Sequence, residues 1–152
     1  MKKVHIKWLL VIGWMVMIFM LSNQPASISD GNSKSIIKIF KALGLNLDSV
    51  LGDLADFAVR KSAHFIEYLV LSLLIYSACR ENNSISKSIL FSVGLVFCYA
   101  CTDEIHQIFV AGREGRFRDV MIDTSGGATA MLAQFIYHFR KQWPFSKKVL
   151  AK

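Results

Sequence analysis

The chain alternates long apolar runs with short polar segments, and the lengths of these runs predict membrane-spanning helices. A helix needs about 20 apolar residues to cross a bilayer. We assign spans to four runs, at 8–22, 57–79, 86–109 and 119–139. Because only 80–85 separate the second run from the third, those two helices should form a tight antiparallel hairpin. The predicted fold class is all-α: a polytopic membrane bundle of four helices in a single domain, 1–152.

The first run is short for a full crossing, and its basic start is also typical of a cleaved signal peptide. No A-x-A cleavage site follows it, and Ser27-Ile28-Ser29 is a weak substitute. Polar residues and Pro25 end the helix instead. We therefore expect the first span to be retained.

The longest connection, between the first and second spans, has its own helical periodicity. Apolar residues fall on one face: Ile36, Ile37, Phe40, Leu43 and Leu47. Lysines fall on the opposite face: Lys34, Lys38 and Lys41. This pattern is typical of an amphipathic helix that lies in the headgroup plane, and Gly44 is expected to end it.

Composition and charge agree with a membrane protein. Hydrophobic residues make up 53% of the chain and charged residues 19%, against about 45–50% and 25% in a soluble domain. The net charge of +7 comes largely from basic residues that flank apolar runs, among them Lys2, Lys3, Lys7, Arg140, Lys141, Lys147 and Lys148. Such placement favours contact with anionic lipids over nucleic-acid binding. A small positive-inside bias predicts a multi-pass cell-membrane protein with both termini in the cytoplasm.

Ionisable residues within the spans are costly, so their positions are informative. On one face of the second span lie Arg60, His64, Glu67 and Tyr68. On one face of the third lie Asp103, His106, Gln107 and Val110, with Glu104 beside them. At the start of the fourth lie Arg116, Asp119, Asp123 and Gly127. In an up-down bundle these places lie at the same side of the membrane as the polar end of the first span, Ser22 and Gln24. A single pair of opposite charges, such as Arg60 with Glu67 or Arg116 with Asp119, would be explained by mutual neutralisation of the two charges without any functional role. The one-sided set as a whole favours a functional site.

Four segments carrying these residues resemble the VanZ-like family of membrane proteins. They are Ser22-Asn23-Gln24, 60–68 (RKSAHFIEY), 103–113 (DEIHQIFVAGR) and 119–126 (DVMIDTSG). The chain departs from the family pattern where Ala111 replaces a frequent proline, Asp123 a frequent Asn and Ala130 a usual glycine. The resemblance implies a role in low-level teicoplanin resistance and implies no established reaction.

Three kinds of chemistry fit the charged set. Metal binding by His64, Glu67, Asp103 and His106 is disfavoured because the H-E-x-x-H spacing is absent, so we expect less than one equivalent of zinc or iron and no cofactor. Acid–base catalysis would use His64, Glu67, Asp103, Glu104 and His106. No nucleophile is evident, and Ser62 and Ser125 are candidates by location alone.

The third chemistry is anion binding, in which guanidinium groups engage phosphate or carboxylate. The candidate ligand-binding residues are Gln24, Arg60, Lys61, Gln107, Arg113, Arg116, Asp119 and Asp123. The expected partners are membrane lipids and an anionic lipid-linked cell-wall intermediate or the lipoglycopeptide itself. Two functions stay open: a protein that binds or shields an envelope component, and a membrane enzyme that modifies one.

Overall fold

The structure is a computed structural model that describes residues 2–142, apart from the side chains of Lys2, Asp53 and Gln142. The flanking Lys147 and Lys148 lie outside the described residues together with the C-terminal end. Within 2–142 the chain is all-helical and contains no strand, as predicted. The helices are α1 (Lys2–Ser22), α2 (Ala26–Ala42), α3 (Leu47–Leu51), α4 (Ala55–Cys79), α5 (Ile85–Gln107) and α6 (Phe117–Gln142). A 3-10 turn, Gly52–Leu54, leads from α3 into α4.

Three helical segments in the described part are long and apolar enough to cross a membrane: Lys3–Ser22, Ala55–Cys79 and Ile85–Gln107. The third ends two residues before the predicted boundary because the chain turns after Gln107. Helix α6 is not among the three, although it has 26 residues. Its first half carries Asp119, Asp123 and two glycines, which lower its hydropathy, so the fourth span stays a prediction.

Helix α2 occupies much of the connection between the first two long helices. Pro25 precedes it, and its last carbonyls accept hydrogen bonds from the backbone N–H groups of Leu43, Gly44 and Leu45. Gly44 has a φ of 88°, the left-handed conformation that glycine adopts without penalty at a helix end. Ser33 and Ile37 are buried, so this face of α2 rests on the rest of the protein.

Helix α4 is the central element and packs against α1, α2, α5 and α6. The core between these helices contains Ile18, Leu71, Ile75, Val96 and Ala100. Outward-facing positions are also apolar, including Leu9, Leu90, Phe91, Leu132 and Phe135. Large exposed side chains of this kind on several helices match a lipid-facing surface.

Two adjacent glycines allow α6 to approach its neighbours closely. A Cβ on Gly126 would lie 2.2 Å from the carbonyl oxygen of Phe65 in α4, and one on Gly127 would lie 2.8 Å from Val96 Cγ1 in α5. Any side chain here would push α6 away. The close approach therefore determines where Asp123, one turn earlier on α6, and Asp119, two turns earlier, meet α4 and α5.

Candidate functional site

The ends of four helices meet at one end of the bundle, which we call the polar end. Ser22 Oγ of α1 donates a hydrogen bond of 2.9 Å to Asp103 Oδ2 of α5. Lys61 Nζ of α4 lies 2.6 Å from Asp119 Oδ2 of α6. The first contact joins the C-terminal ends of α1 and α5, and the second joins the N-terminal parts of α4 and α6. The antiparallel order of the runs predicts that these four helix ends lie at the same end of the bundle.

Three of the candidate residues form a compact group that we call the His–Asp–Asp cluster: His64, Asp103 and Asp123. One ligand atom from each lies within 4.8 Å of the other two. Asp123 is 1% exposed and Asp103 is 3% exposed. Asp103 Oδ2 also accepts a hydrogen bond of 3.1 Å from Gln107 Nε2, whereas Asp103 Oδ1 and Asp123 Oδ2 are buried without a hydrogen-bond partner. Two unsatisfied carboxylate oxygens in so small a volume are costly unless a cation or proton compensates them.

The other acid–base candidates occupy different places. His106 Nε2 lies 3.1 Å from Asn23 Oδ1, and its ring packs on Phe19 at the contact between α1 and α5. Glu104 Oε2 accepts a hydrogen bond of 2.8 Å from the backbone N–H of Arg116, which ties the loop before α6 to α5. Neither residue is among the three of the His–Asp–Asp cluster, and each makes its contacts elsewhere at the polar end.

Basic side chains surround a cavity of about 250 Å³ beside the His–Asp–Asp cluster, which we call the cationic cavity. Its charged lining residues are Arg60, Lys61, Arg113, Arg116 and Arg118, with Glu114 and Asp119. His64 and Gln107 also line it, so the cavity reaches the His–Asp–Asp cluster.

Most of these basic groups already have a carboxylate partner, and the partners differ from those considered from sequence. Arg60 pairs with Asp30 of α2 at 2.5 Å rather than with Glu67. Arg116 pairs with Glu114 at 2.6 Å rather than with Asp119. This pairing, reinforced by a hydrogen bond, raises the pKa of the Arg116 guanidinium above its usual value.

Among the described side chains Arg113 is the exception, because no described carboxylate lies within salt-bridge distance of it. Its Nε donates a 2.9 Å hydrogen bond to the carbonyl of Gln24, and Nη1 lies 3.4 Å from Gln107 Oε1. Burial, followed by repulsion from Arg60, lowers the pKa of the Arg113 guanidinium below its usual value. An anion beside Arg113 would offset both effects.

A second cavity, of about 210 Å³, lies between α2 and α4, and we call it the α2 groove. It shares Arg60, His64 and Arg113 with the cationic cavity, and its remaining wall includes Leu21, Ile36, Val59, Ala63, Gln24 and Glu67. Helix α2 is held over it by the Arg60–Asp30 pair and by the hydrogen bond from Ala26 N–H to the Ala111 carbonyl. A charged compartment therefore continues into one with apolar walls.

Sequence reasoning missed one residue of this region and gave another a different role. Asp30 was not singled out, although it is the acid in α2 that faces Arg60. Asp123 was assigned to ligand binding, whereas the structure places it with His64 and Asp103. A signal for Asp123 was present, because it lies four residues after Asp119 on the same face of α6.

An all-helical chain with three helices able to span a bilayer and a buried polar cluster at one end is a helical membrane protein. The family model described as VanZ/LLP1 matches residues 7–138, and the chain belongs to that family. No curated protein and no solved structure matches the chain.

Proposed function

We propose that this protein binds an anionic component of the cell envelope, with the phosphate or carboxylate of that component in the cationic cavity. The observation that carries the proposal is Arg113, a half-buried guanidinium in a cavity lined by four other basic residues. It has no carboxylate partner among the described side chains. Guanidinium binds phosphate and carboxylate through two parallel hydrogen bonds, which makes Arg113 the anchor.

The α2 groove favours an amphiphile over a free ion. An anionic headgroup in the cationic cavity would have a neighbouring wall formed by Leu21, Ile36 and Val59 for an apolar chain. Lipid-linked cell-wall intermediates and lipoglycopeptides both combine an anionic group with an acyl or prenyl chain. Binding or shielding of such a molecule is the link that we propose to teicoplanin resistance.

The proposed topology places the polar end at the outer surface, with α6 as a fourth span and α2 in the headgroup layer. Helix α6 is long enough, and it packs along α4 and α5. Lys34, Lys38 and Lys41 on α2 are exposed, whereas Leu43, 73% exposed, and Ile39, 60% exposed, are available to lipid.

Binding can be measured with purified protein in lipid nanodiscs, using a polyprenyl diphosphate and teicoplanin as separate probes. We expect saturable binding of at least one probe, weakened about tenfold or more in Arg113→Lys because a charge-assisted bidentate contact is lost. Arg80→Lys at the opposite end of α4 is the matched control. Equal affinity of wild type and Arg113→Lys for both probes would refute this function.

A second candidate is an enzyme that modifies the bound component. The observation in its favour is that His64 lines the cationic cavity and has Asp123 Oδ1 3.7 Å from its Nδ1, a layout suited to a base with an orienting carboxylate. Product formation that is lost in Asp103→Asn while probe binding persists would favour the enzyme. Unchanged probe after prolonged incubation with wild type would favour the binding protein.

A further inference from the structure

We propose that His64, Asp103 and Asp123 together bind one divalent transition-metal ion, with zinc as the best match. The sequence argument against a metal considered Glu67 and His106 as ligands on α4 and α5. The structure brings in Asp123 from α6 instead, so the ligands come from three helices and no spacing motif within one helix would reveal them.

The distances between the ligand atoms suit a metal ion with short metal–ligand bonds. Zinc accepts imidazole nitrogen and carboxylate oxygen at about 2.0–2.2 Å, which places ligand atoms roughly 3.4 Å apart around a tetrahedral ion. His64 Nδ1 and Asp123 Oδ1 are 3.7 Å apart, and one ligand atom from each of the three residues lies within 4.8 Å of the other two. Small side-chain rotations would complete a three-ligand site. Mixed imidazole and carboxylate ligands favour zinc over magnesium or calcium.

The charges of the cluster require compensation. Within residues 2–142, neither Asp103 nor Asp123 has a lysine or arginine in a salt bridge, since Lys61 pairs with Asp119 and Arg60 with Asp30. Asp103 Oδ1 and Asp123 Oδ2 are both buried and lack hydrogen-bond partners. Buried carboxylates are paired, protonated or bound to metal. A metal ion in the cluster would offset the negative charge of both carboxylates at once.

Supporting contacts orient the proposed ligands. Ser22 Oγ and Gln107 Nε2 both donate hydrogen bonds to Asp103 Oδ2. This leaves Asp103 Oδ1 available to bind the metal ion. Outer contacts of this kind accompany metal-ligating carboxylates. His64 lines both the cationic cavity and the α2 groove, so an ion has an entry path and a coordination position open to the cavity. The inference does not depend on the proposed anion binding.

The test uses the full chain, purified in detergent with a histidine-free tag. Elemental analysis should find about one zinc per chain, and a chelator should lower the Tm, which added zinc then restores. His64→Gln, Asp103→Asn and Asp123→Asn should each lose the zinc and the zinc-dependent Tm rise.

Ser22→Ala should keep the site with about tenfold weaker affinity for zinc, because only an outer contact is removed. Asp119→Asn, which removes another buried carboxylate of α6, should retain zinc.

The competing explanation is an imidazolium at His64 held between two carboxylates. It predicts that wild type purifies with far less than one equivalent of any transition metal and that zinc or manganese leaves its Tm unchanged. Either that result or full zinc retention in His64→Gln would overturn the proposal. If the aspartate variants fail to accumulate, the metal content and chelator response of wild type decide the question alone.

Discussion

Gly126 of α6 lies directly against the backbone of Phe65 in α4, so that a Cβ there would be 2.2 Å from the Phe65 carbonyl oxygen. This contact sets the separation of the two helices one turn from Asp123 on α6 and next to His64 on α4. It thereby connects a packing requirement to the assembly of the polar end.

Gly126→Ala should therefore destabilise the protein. The added methyl group meets backbone that cannot rotate away, and overpacking of this kind costs about 1–3 kcal/mol. Thermal unfolding in detergent measures the effect. Gly94→Ala on α5 is the control, because nothing lies within 4 Å of its added Cβ. It should be neutral or stabilising, since alanine favours a helix by about 0.5–1 kcal/mol over glycine. Equal behaviour of the two variants would contradict the close contact.

If the protein confers the proposed lipoglycopeptide resistance, Arg113→Lys should reduce that resistance more than Arg116→Lys, although the sequence alone predicts that both matter. Arg113 lacks a carboxylate partner in residues 2–142, whereas Arg116 is exposed and already paired with Glu114. A lysine at 113 keeps the charge but cannot form the two parallel hydrogen bonds. Resistance assays at matched membrane levels of protein would measure the difference. If neither variant loses resistance, positive charge alone suffices; if Arg113→Lys fails to accumulate, its bond to Gln24 is structural.

Topology is testable with reporters. A reporter fused after Arg80 should report the cytoplasm, and one inserted near Gly115 should report the outside, because α4 and α5 run in opposite directions and the basic flanks favour a cytoplasmic N-terminus. Insertion after Asn82 serves as a second marker for the cytoplasmic side. A cytoplasmic signal at Gly115 would place the polar end inside the cell and exclude direct contact with an extracellular drug.

The far end of the bundle should show a mild acid sensitivity. The Glu81 carboxylate pairs with Lys7, and that hydrogen bond and charge lower the pKa of Glu81 below its usual value. The stabilising contribution of this pair is therefore complete above the ordinary glutamate pKa of about 4.3 and is lost as the pH falls through the lowered value. The effect should be small because the pair is exposed. As the pH is lowered from neutral, the Tm of Glu81→Gln should fall less steeply than the Tm of wild type. Identical slopes of Tm against pH in the two proteins would show that the pair contributes nothing.

The sequence by itself determined the helical class, the positions of the long apolar helices and the family. It also predicted that the polar residues of α1, α4, α5 and α6 would meet at one end, since antiparallel order follows from short connections between long helices. These features depend only on hydrophobic length, periodicity and chain order, which one-dimensional patterns record.

The tertiary structure decided which of those residues meet. A period of 3.6 assigns a side chain to a face, but the rotation of each helix against its neighbours comes from packing. That rotation pairs Arg60 with Asp30 rather than Glu67 and places His106 at the α1–α5 contact. In the loop before α6, Arg113 has no carboxylate partner among the described side chains. The close contact at Gly126 brought Asp123 beside His64 and Asp103. Such groupings depend on the fit of three helices at once, so no segment of the chain encodes them separately.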